Sequence, residues 1–311
     1  MNQQIVATKD RCRNCGSIQI KDLGFVGEVA PFFLKRVLNM EIRTRISRHP
    51  LRQFARRVCA IPNRAFEKVY GSGAFMEMQV CLHCSFVQTR HPFTDESLGR
   101  LYVDYRSATY NAERIHYEPT YAPIAKDVGK ADQEMKCRVD GLNTWLDGKI
   151  KADSEFSMLD FGGSDGRFLP RISGSKFVFE ISDTTPLPGI VRISDEKDLT
   201  SYSYVQIAHV LEHVSEPLGF LKHVAKFIKP SGYLYIEVPQ DLSDNEIAGL
   251  EDGSSRLEGL PIHEHVNVYC LSSIKALVDA AGLTMLHAET TPIDLGWITG
   301  TNIRALCTSK R

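Results

Sequence analysis

Residues 157–166 read SMLDFGGSDG: an apolar run ending in an acid, then two glycines, a serine, an aspartate and a third glycine. An apolar run bounded this way is a buried strand feeding a turn in which backbone must pass close to a ligand. The segments that follow keep the same grammar. KFVFEIS, GIVRIS, YVQIAHV and GYLYIEVP read as strands, and DGRFLPRI, PLGFLKHVAKFIKP and LSSIKALVDAAGL read as helices, with almost nothing helical between the second and third strands. TMLHAETT and NIRALCTS then make a closing pair of strands. Such alternation predicts an α/β, Rossmann-like fold: an open, mostly parallel sheet with an antiparallel last strand, and ligands at the carboxyl ends of the strands.

The turn is not a dinucleotide fingerprint. Counted from Gly162, GxGxxG needs glycines at 164 and 167, where the chain has Ser164 and Arg167. What stands there is an acid, Asp160, followed by Gly162, Ser164 and Gly166. A strand-end acid repels a pyrophosphate and attracts a cationic amino group, such as that of S-adenosylmethionine. Glu180, about 20 residues on at the end of the next strand, is placed to accept hydrogen bonds from ribose hydroxyls.

Further along comes IAHVLEHVSEPLGFLKHVAKFIKPSGYLYIEVP. This closely resembles the fourth strand, helix and fifth strand of class I S-adenosylmethionine-dependent methyltransferases, over roughly residues 157–307. The resemblance implies that His209 through Glu212 line the cofactor pocket; Asp195 is the candidate for the adenine contact. Two CxxC pairs, the tyrosine-rich YVDYRSATY and the run IHEHVNVYC narrow the match. Together they are similar to the sugar C-methyltransferases that carry a zinc-binding N-terminal domain. In that family a Tyr-His-Glu-His run and a histidine after the fourth strand surround the reacting sugar, which maps here to His213, His263, Glu264 and His265. Ile262 stands at the family's tyrosine, so the resemblance implies a sugar acceptor, nucleotide-linked or a glycan precursor, with carbon or oxygen as the attacking atom. His265 is the expected base, Glu264 its orienting group or a second base, and His213 a proton or oxyanion partner. An O- or N-methyltransferase on a non-sugar molecule and a non-catalytic cofactor-binding module are the rival readings.

Cys12 and Cys15 form one CxxC knuckle and Cys81 and Cys84 another. Two residues between thiolates let one turn present both sulfurs, and two such turns complete the S₄ set that zinc favours in a structural site. Between the knuckles, ten basic residues run from Lys35 to Lys68. Leu34, Leu38, Ile42 and Ile46 predict an amphipathic helix with a basic face, broken near Pro50 and suited to a phosphate or to anionic lipid. Tyr105, Arg106 and Tyr110 are candidates for gripping a polar substrate. A helix is expected from about Asp127 to Trp145.

The expected division is a zinc-binding, substrate-recognising region over 1–118, a helical linker over 119–150 and a cofactor-binding domain over 151–311. A formal net charge of −1 over 311 residues argues against a dedicated nucleic-acid binder. No apolar run approaches a membrane span, and the first residues lack an apolar signal core, so the cytoplasm is the expected location.

Overall fold

The protein is seen in a computed structural model that describes residues 11–40, 74–129, 131–180, 182, 184–255 and 260–309. In chain order its elements begin with β1 (Ile20–Val29), α1 (Pro31–Leu38), β2 (Phe75–Cys81), β3 (Val87–Thr89), α2 (Asp95–Gly99) and α3 (Ala108–Tyr117). Next come α4 (Asp132–Met135), a π turn over Lys136–Asp140, α5 (Gly141–Leu146), β4 (Ser157–Phe161), β5 (Ser175–Phe179), β6 (Ile190–Ile193) and β7 (Tyr202–Ala208). The chain continues with α6 (Pro217–Val224), β8 (Ile228–Pro239), α7 (Asp244–Asp252), β9 (Leu260–Ile262), β10 (Asn267–Val268), α8 (Leu271–Ala280), β11 (Leu283–Asp294) and β12 (Thr299–Ser309).

Seven strands form the larger sheet in the order β11-β12-β8-β7-β4-β5-β6. β8, β7, β4, β5 and β6 run parallel, and β12 enters antiparallel to β8. The order reverses around β4, whose Asp160 lies across from Val178 on one side and Gln206 on the other. That reversal is a topological switch point, where an open α/β sheet leaves a crevice beyond its strand ends. The open, mostly parallel sheet expected from the alternation is what the chain adopts, with β12 running antiparallel.

The helix expected at DGRFLPRI does not form; residues 163–172 are turns. Ser164 and Gly166 both take left-handed backbone, at φ 56° and 78°. The Asp165 carboxylate folds back onto the amide of Arg167 (3.1 Å) and its guanidinium, and Pro170 supplies no amide hydrogen for a helical ladder. The helix expected from Asp127 begins instead at Asp132 and passes through the π turn before ending at Leu146. Of the predicted amphipathic helix, Leu34 and Leu38 lie on α1, which stops where Asn39 turns left-handed at φ 52°. Ile42, Ile46 and the rest of the basic run to Lys68 lie outside the described residues.

The smaller sheet has the order β10-β3-β2-β1-β9. Two of its five strands come from residues 260–268, far along the chain: β9 pairs parallel to β1 from Gly27↔Leu260 to Val29↔Ile262, and β10 pairs with β3 at Asn267↔Gln88. The boundaries expected at 118 and 151 therefore cut through one sheet. Val29, Phe32, Phe33, Val37 and Met78 form a core with Leu250 of α7 and Ile262 of β9. Cys12, Cys81, Cys84 and Phe86 pack instead into the core of the larger sheet, with Leu211, Tyr269 and Ile274.

Candidate active site

At the carboxyl end of β4 the chain turns through Gly162, Ser164 and Gly166, all with left-handed φ. The Ser164 amide donates to Glu180 Oε2 at 2.9 Å, and the Ser182 amide donates to its Oε1 at 2.8 Å. Glu180 thus fixes the turn, and each carboxylate oxygen keeps a lone pair for a further donor. Asp160 is 1% exposed, and its Oδ2 makes no hydrogen bond among the described residues. Burial pushes its carboxyl up to about 7, against the pull of Arg138. A Cβ on Gly163 would stand 2.0 Å from the Asp160 carboxyl carbon, so the turn closes over the acid only because residue 163 has no side chain. A buried carboxylate with one oxygen unsatisfied, beneath a glycine turn, fits the ammonium end of S-adenosylmethionine. Gly163 escapes a reading of the motif as alternating glycines.

Beyond β7, His209 adopts φ 56°, a conformation rare for a residue with a side chain. Its ring spans two carboxylates, with Nδ1 3.3 Å from Glu212 and Nε2 3.2 Å from Glu237. Burial alone would lower its pKa, but the two acids raise it. Arg304 and Asn302 of β12 also donate to Glu237, which belongs to the EVP strand end. Val210 sits 3.1 Å from where a Cβ on Gly162 would lie, so this turn closes on the glycine turn of β4. Asp195 instead caps its own short turn and pairs with Lys197 at 2.6 Å.

Across the crevice three imidazoles converge. The ring centres of His213 and His265 are 5.1 Å apart, and those of His263 and His265 4.7 Å. His213 Nδ1 donates to the Glu264 carbonyl at 3.1 Å. His265 Nδ1 donates to Asp241 Oδ2 at 2.9 Å. The expectation that Glu264 orients His265 is corrected. The chain bends at residues 263 and 264 after β9, and the Glu264 carboxylate pairs with Arg114, which also contacts Glu118 at 3.3 Å. Burial opposes the charge of Glu264, yet Arg114 holds it down at about 2. Burial also opposes protonation of His265, but Asp241 lifts it to about 9; burial pushes His263 down to about 4. Asp241 was missed in the sequence because nothing local marks an acid 24 residues upstream as a partner.

Of the tyrosine-rich segment, Tyr110 is a core residue: fully buried, edge-on to Phe32 at 5.1 Å and to Tyr105 at 5.2 Å. Its expected contact with substrate is therefore withdrawn. Arg106 carries its guanidinium 4.8 Å over the Tyr105 ring, with an Nε that makes no hydrogen bond among the described residues. Tyr102, not singled out beforehand, stands edge-on to His213 at 5.6 Å, and its buried hydroxyl makes no hydrogen bond there either. Ile262 is fully buried in β9, in the core of the smaller sheet.

The four knuckle cysteines also meet. Cys12 and Cys84 sulfurs are 3.7 Å apart, Cys15 and Cys81 sulfurs 3.8 Å, and all four lie within 4.8 Å of one another. Zinc–sulfur bonds of about 2.3 Å in a tetrahedron set the sulfurs about 3.8 Å apart, so the group fits that ion.

A sequence profile described as a methyltransferase domain matches residues 122–288, more than half of the chain. The chain belongs to the methyltransferase-domain family. Its fold and its switch-point crevice are those of an S-adenosylmethionine-dependent methyltransferase of class I. Among solved structures, this methyltransferase is similar to the Burkholderia thailandensis 1,6-didemethyltoxoflavin-N1-methyltransferase (14% identity, TM-score 0.43, covering 64% of this chain and 87% of that one). The magnesium protoporphyrin IX methyltransferase of Synechocystis gives 14% identity and a TM-score of 0.43, over 68% of this chain and 99% of that one. An Aquifex aeolicus methyltransferase gives 16% and 0.39, over 58% and 97%. No curated protein sequence matches the chain. Among the described residues, no helix of this methyltransferase is long and apolar enough to cross a membrane.

Proposed function

We propose that this methyltransferase acts on a sugar, nucleotide-linked or part of a glycan precursor, at oxygen or at a carbon next to a carbonyl. In this reading Asp160, Glu180, Gly162, Ser164 and Gly166 hold the donor's methionine and ribose ends, with His209 and Glu212 closing the pocket. The acceptor lies against His213, His263 and His265. The observation that carries the reading is the convergence of three imidazoles, linked through Glu212 to His209 beyond β7. Imidazole suits the proton transfer that makes a hydroxyl or an acidic C–H nucleophilic. The acceptor's O–H or C–H bond breaks and its proton passes to the imidazole cluster. The freed pair attacks the methyl carbon in line, and the carbon–sulfur pair stays on sulfur as S-adenosylhomocysteine leaves. Alignment of acceptor, methyl and sulfur supplies much of the rate.

Arg106, beside Tyr105, favours an acceptor that carries phosphate. Residues 1–118 serve substrate recognition, 119–150 act as a helical linker and 151–311 hold the donor, with β9 and β10 returned to the first region. Cys12, Cys15, Cys81 and Cys84 bind a structural zinc. The test is incubation with S-adenosylmethionine and a panel of nucleotide sugars, read by mass spectrometry for a gain of one methylene mass. His265→Ala is expected to abolish that gain while calorimetry still shows donor binding. Methylation of non-sugar acceptors alone would overturn the reading.

A further inference from the structure

Glu212 is the most isolated acid in the described molecule. It is fully buried, and neither carboxylate oxygen makes a hydrogen bond among the described residues. The nearest nitrogens are His209 Nδ1 at 3.3 Å and His213 Nε2 at 3.6 Å, both toward Oε1. A carboxylate so placed has lost its water and keeps only the long contact to His209 in return, an arrangement that favours a further cation beside it. One oxygen of Glu212, one nitrogen of His213 and one of His265 all lie within 4.8 Å of one another.

The two histidines are already oriented as metal ligands are. A carbonyl can only accept, so the contact with the Glu264 carbonyl puts the His213 proton on Nδ1 and leaves Nε2 with a lone pair. The Asp241 carboxylate holds the Nδ1 proton of His265 in the same way, so Nε2 is the nitrogen that an ion would take in exchange for its proton. Ligating histidines almost always donate their second nitrogen to a carbonyl or a carboxylate, and here both kinds of partner are present. A tetrahedral ion with bonds of about 2.1 Å holds its donors about 3.4 Å apart. The Glu212–His213 pair stands close to that span.

We infer that Glu212, His213 and His265 form a binding site for a divalent first-row transition ion, on the acceptor side of the crevice and separate from the four cysteines. Two nitrogens and one oxygen are a donor set for zinc, iron(II) or manganese rather than for calcium or magnesium. Three protein ligands leave a position open, which an oxygen of the acceptor would fill. The inference deepens the sugar reading, because a cation there would bind the sugar oxygen next to the atom that takes the methyl group. With His213 and His265 engaged, His263 is the imidazole left to receive the acceptor's proton.

Cobalt(II) titration of the full-length, chelator-treated protein tests the site without donor or acceptor. Thiolate-bound cobalt shows intense near-ultraviolet charge-transfer bands, whereas a nitrogen and oxygen site shows only weak visible bands. Two equivalents are expected, one with each signature. His265→Asn is expected to remove the second equivalent, and Asp241→Asn to weaken it about 10- to 100-fold. Both variants should keep the thiolate signature, which also reports that the knuckles are folded. A single equivalent with thiolate bands only, or a second that persists unchanged in both variants, overturns the inference. Because no methyl transfer is measured, either result leaves the sugar reading to its own test, and failure of every sugar acceptor leaves the metal site to this one.

Discussion

At the scale of single residues, the decisive group is Asp160. Its carboxyl titrates near 7 because burial outweighs Arg138. Below that pH the free protein holds it neutral, and a donor bearing an ammonium group must displace the proton to bind. Donor affinity is therefore expected to rise with pH, about tenfold per unit up to 7, and to level off above it. Calorimetry from pH 5.5 to 8.5 checks this, with Asp160→Asn expected to bind more weakly and to lose the slope. A wild-type profile as flat as the variant's would remove Asp160 from the ammonium contact. The acid itself was legible, since an apolar run ending in Asp before glycines has few other meanings. Gly163 was not: its role is to leave room for a side chain three residues back. Such a role appears only when the turn is built.

At the scale of elements, the strands were easier to read than the helices. The strands of the larger sheet carry long apolar runs, whereas the expected helix after Asp165 yielded to a carboxylate–guanidinium turn and Pro170. Nothing local separates Glu264 from its neighbouring histidines, because the chain bends at residues 263 and 264 and its partner Arg114 lies far back in sequence; the family pattern grouped all three. Strand pairing bears on Ile262. It is fully buried, and its Cγ1 would lie 3.2 Å from a Cβ on Gly27 of the paired strand β1. Restoring the family's residue by Ile262→Tyr is therefore expected to cost about 1–3 kcal/mol through overpacking and to yield no gain in turnover. Urea unfolding and a methylation assay check both parts; a faster enzyme of unchanged stability would show that the strand can turn its side chain to the crevice. Tyr102, whose ring stands edge-on to His213 at 5.6 Å, is the phenol that the structure places beside the imidazoles instead.

At the scale of the whole molecule, the knuckles are part of the larger core. Cys12, Cys81 and Cys84 share it with Leu211, Tyr269 and Ile274, and Asn14 ties the first knuckle to the carbonyl of Ser273 at 2.8 Å. Removing the proposed zinc is thus expected to destabilise the donor-binding sheet as well as the knuckles. Calorimetry of the zinc-loaded and chelated protein should show one transition moving down in temperature. Two transitions, with only one of them moving, would mean that the knuckles melt by themselves. Local spacing made the four cysteines legible, but linear domain boundaries could not anticipate that residues 260–268 complete a sheet begun at residue 20.

The pairing of β9 with β1 also orders events at birth. The ribosome delivers β1, β2 and β3 long before residues 260–268 leave the exit tunnel, so the edge of β1 waits without its neighbour while most of the polypeptide is still being made. The segment that closes this edge runs on into His263 and His265, which reach their places beside His213 only as that gap is filled. A nascent chain therefore lacks the proposed acceptor site until residues 260–268 have emerged.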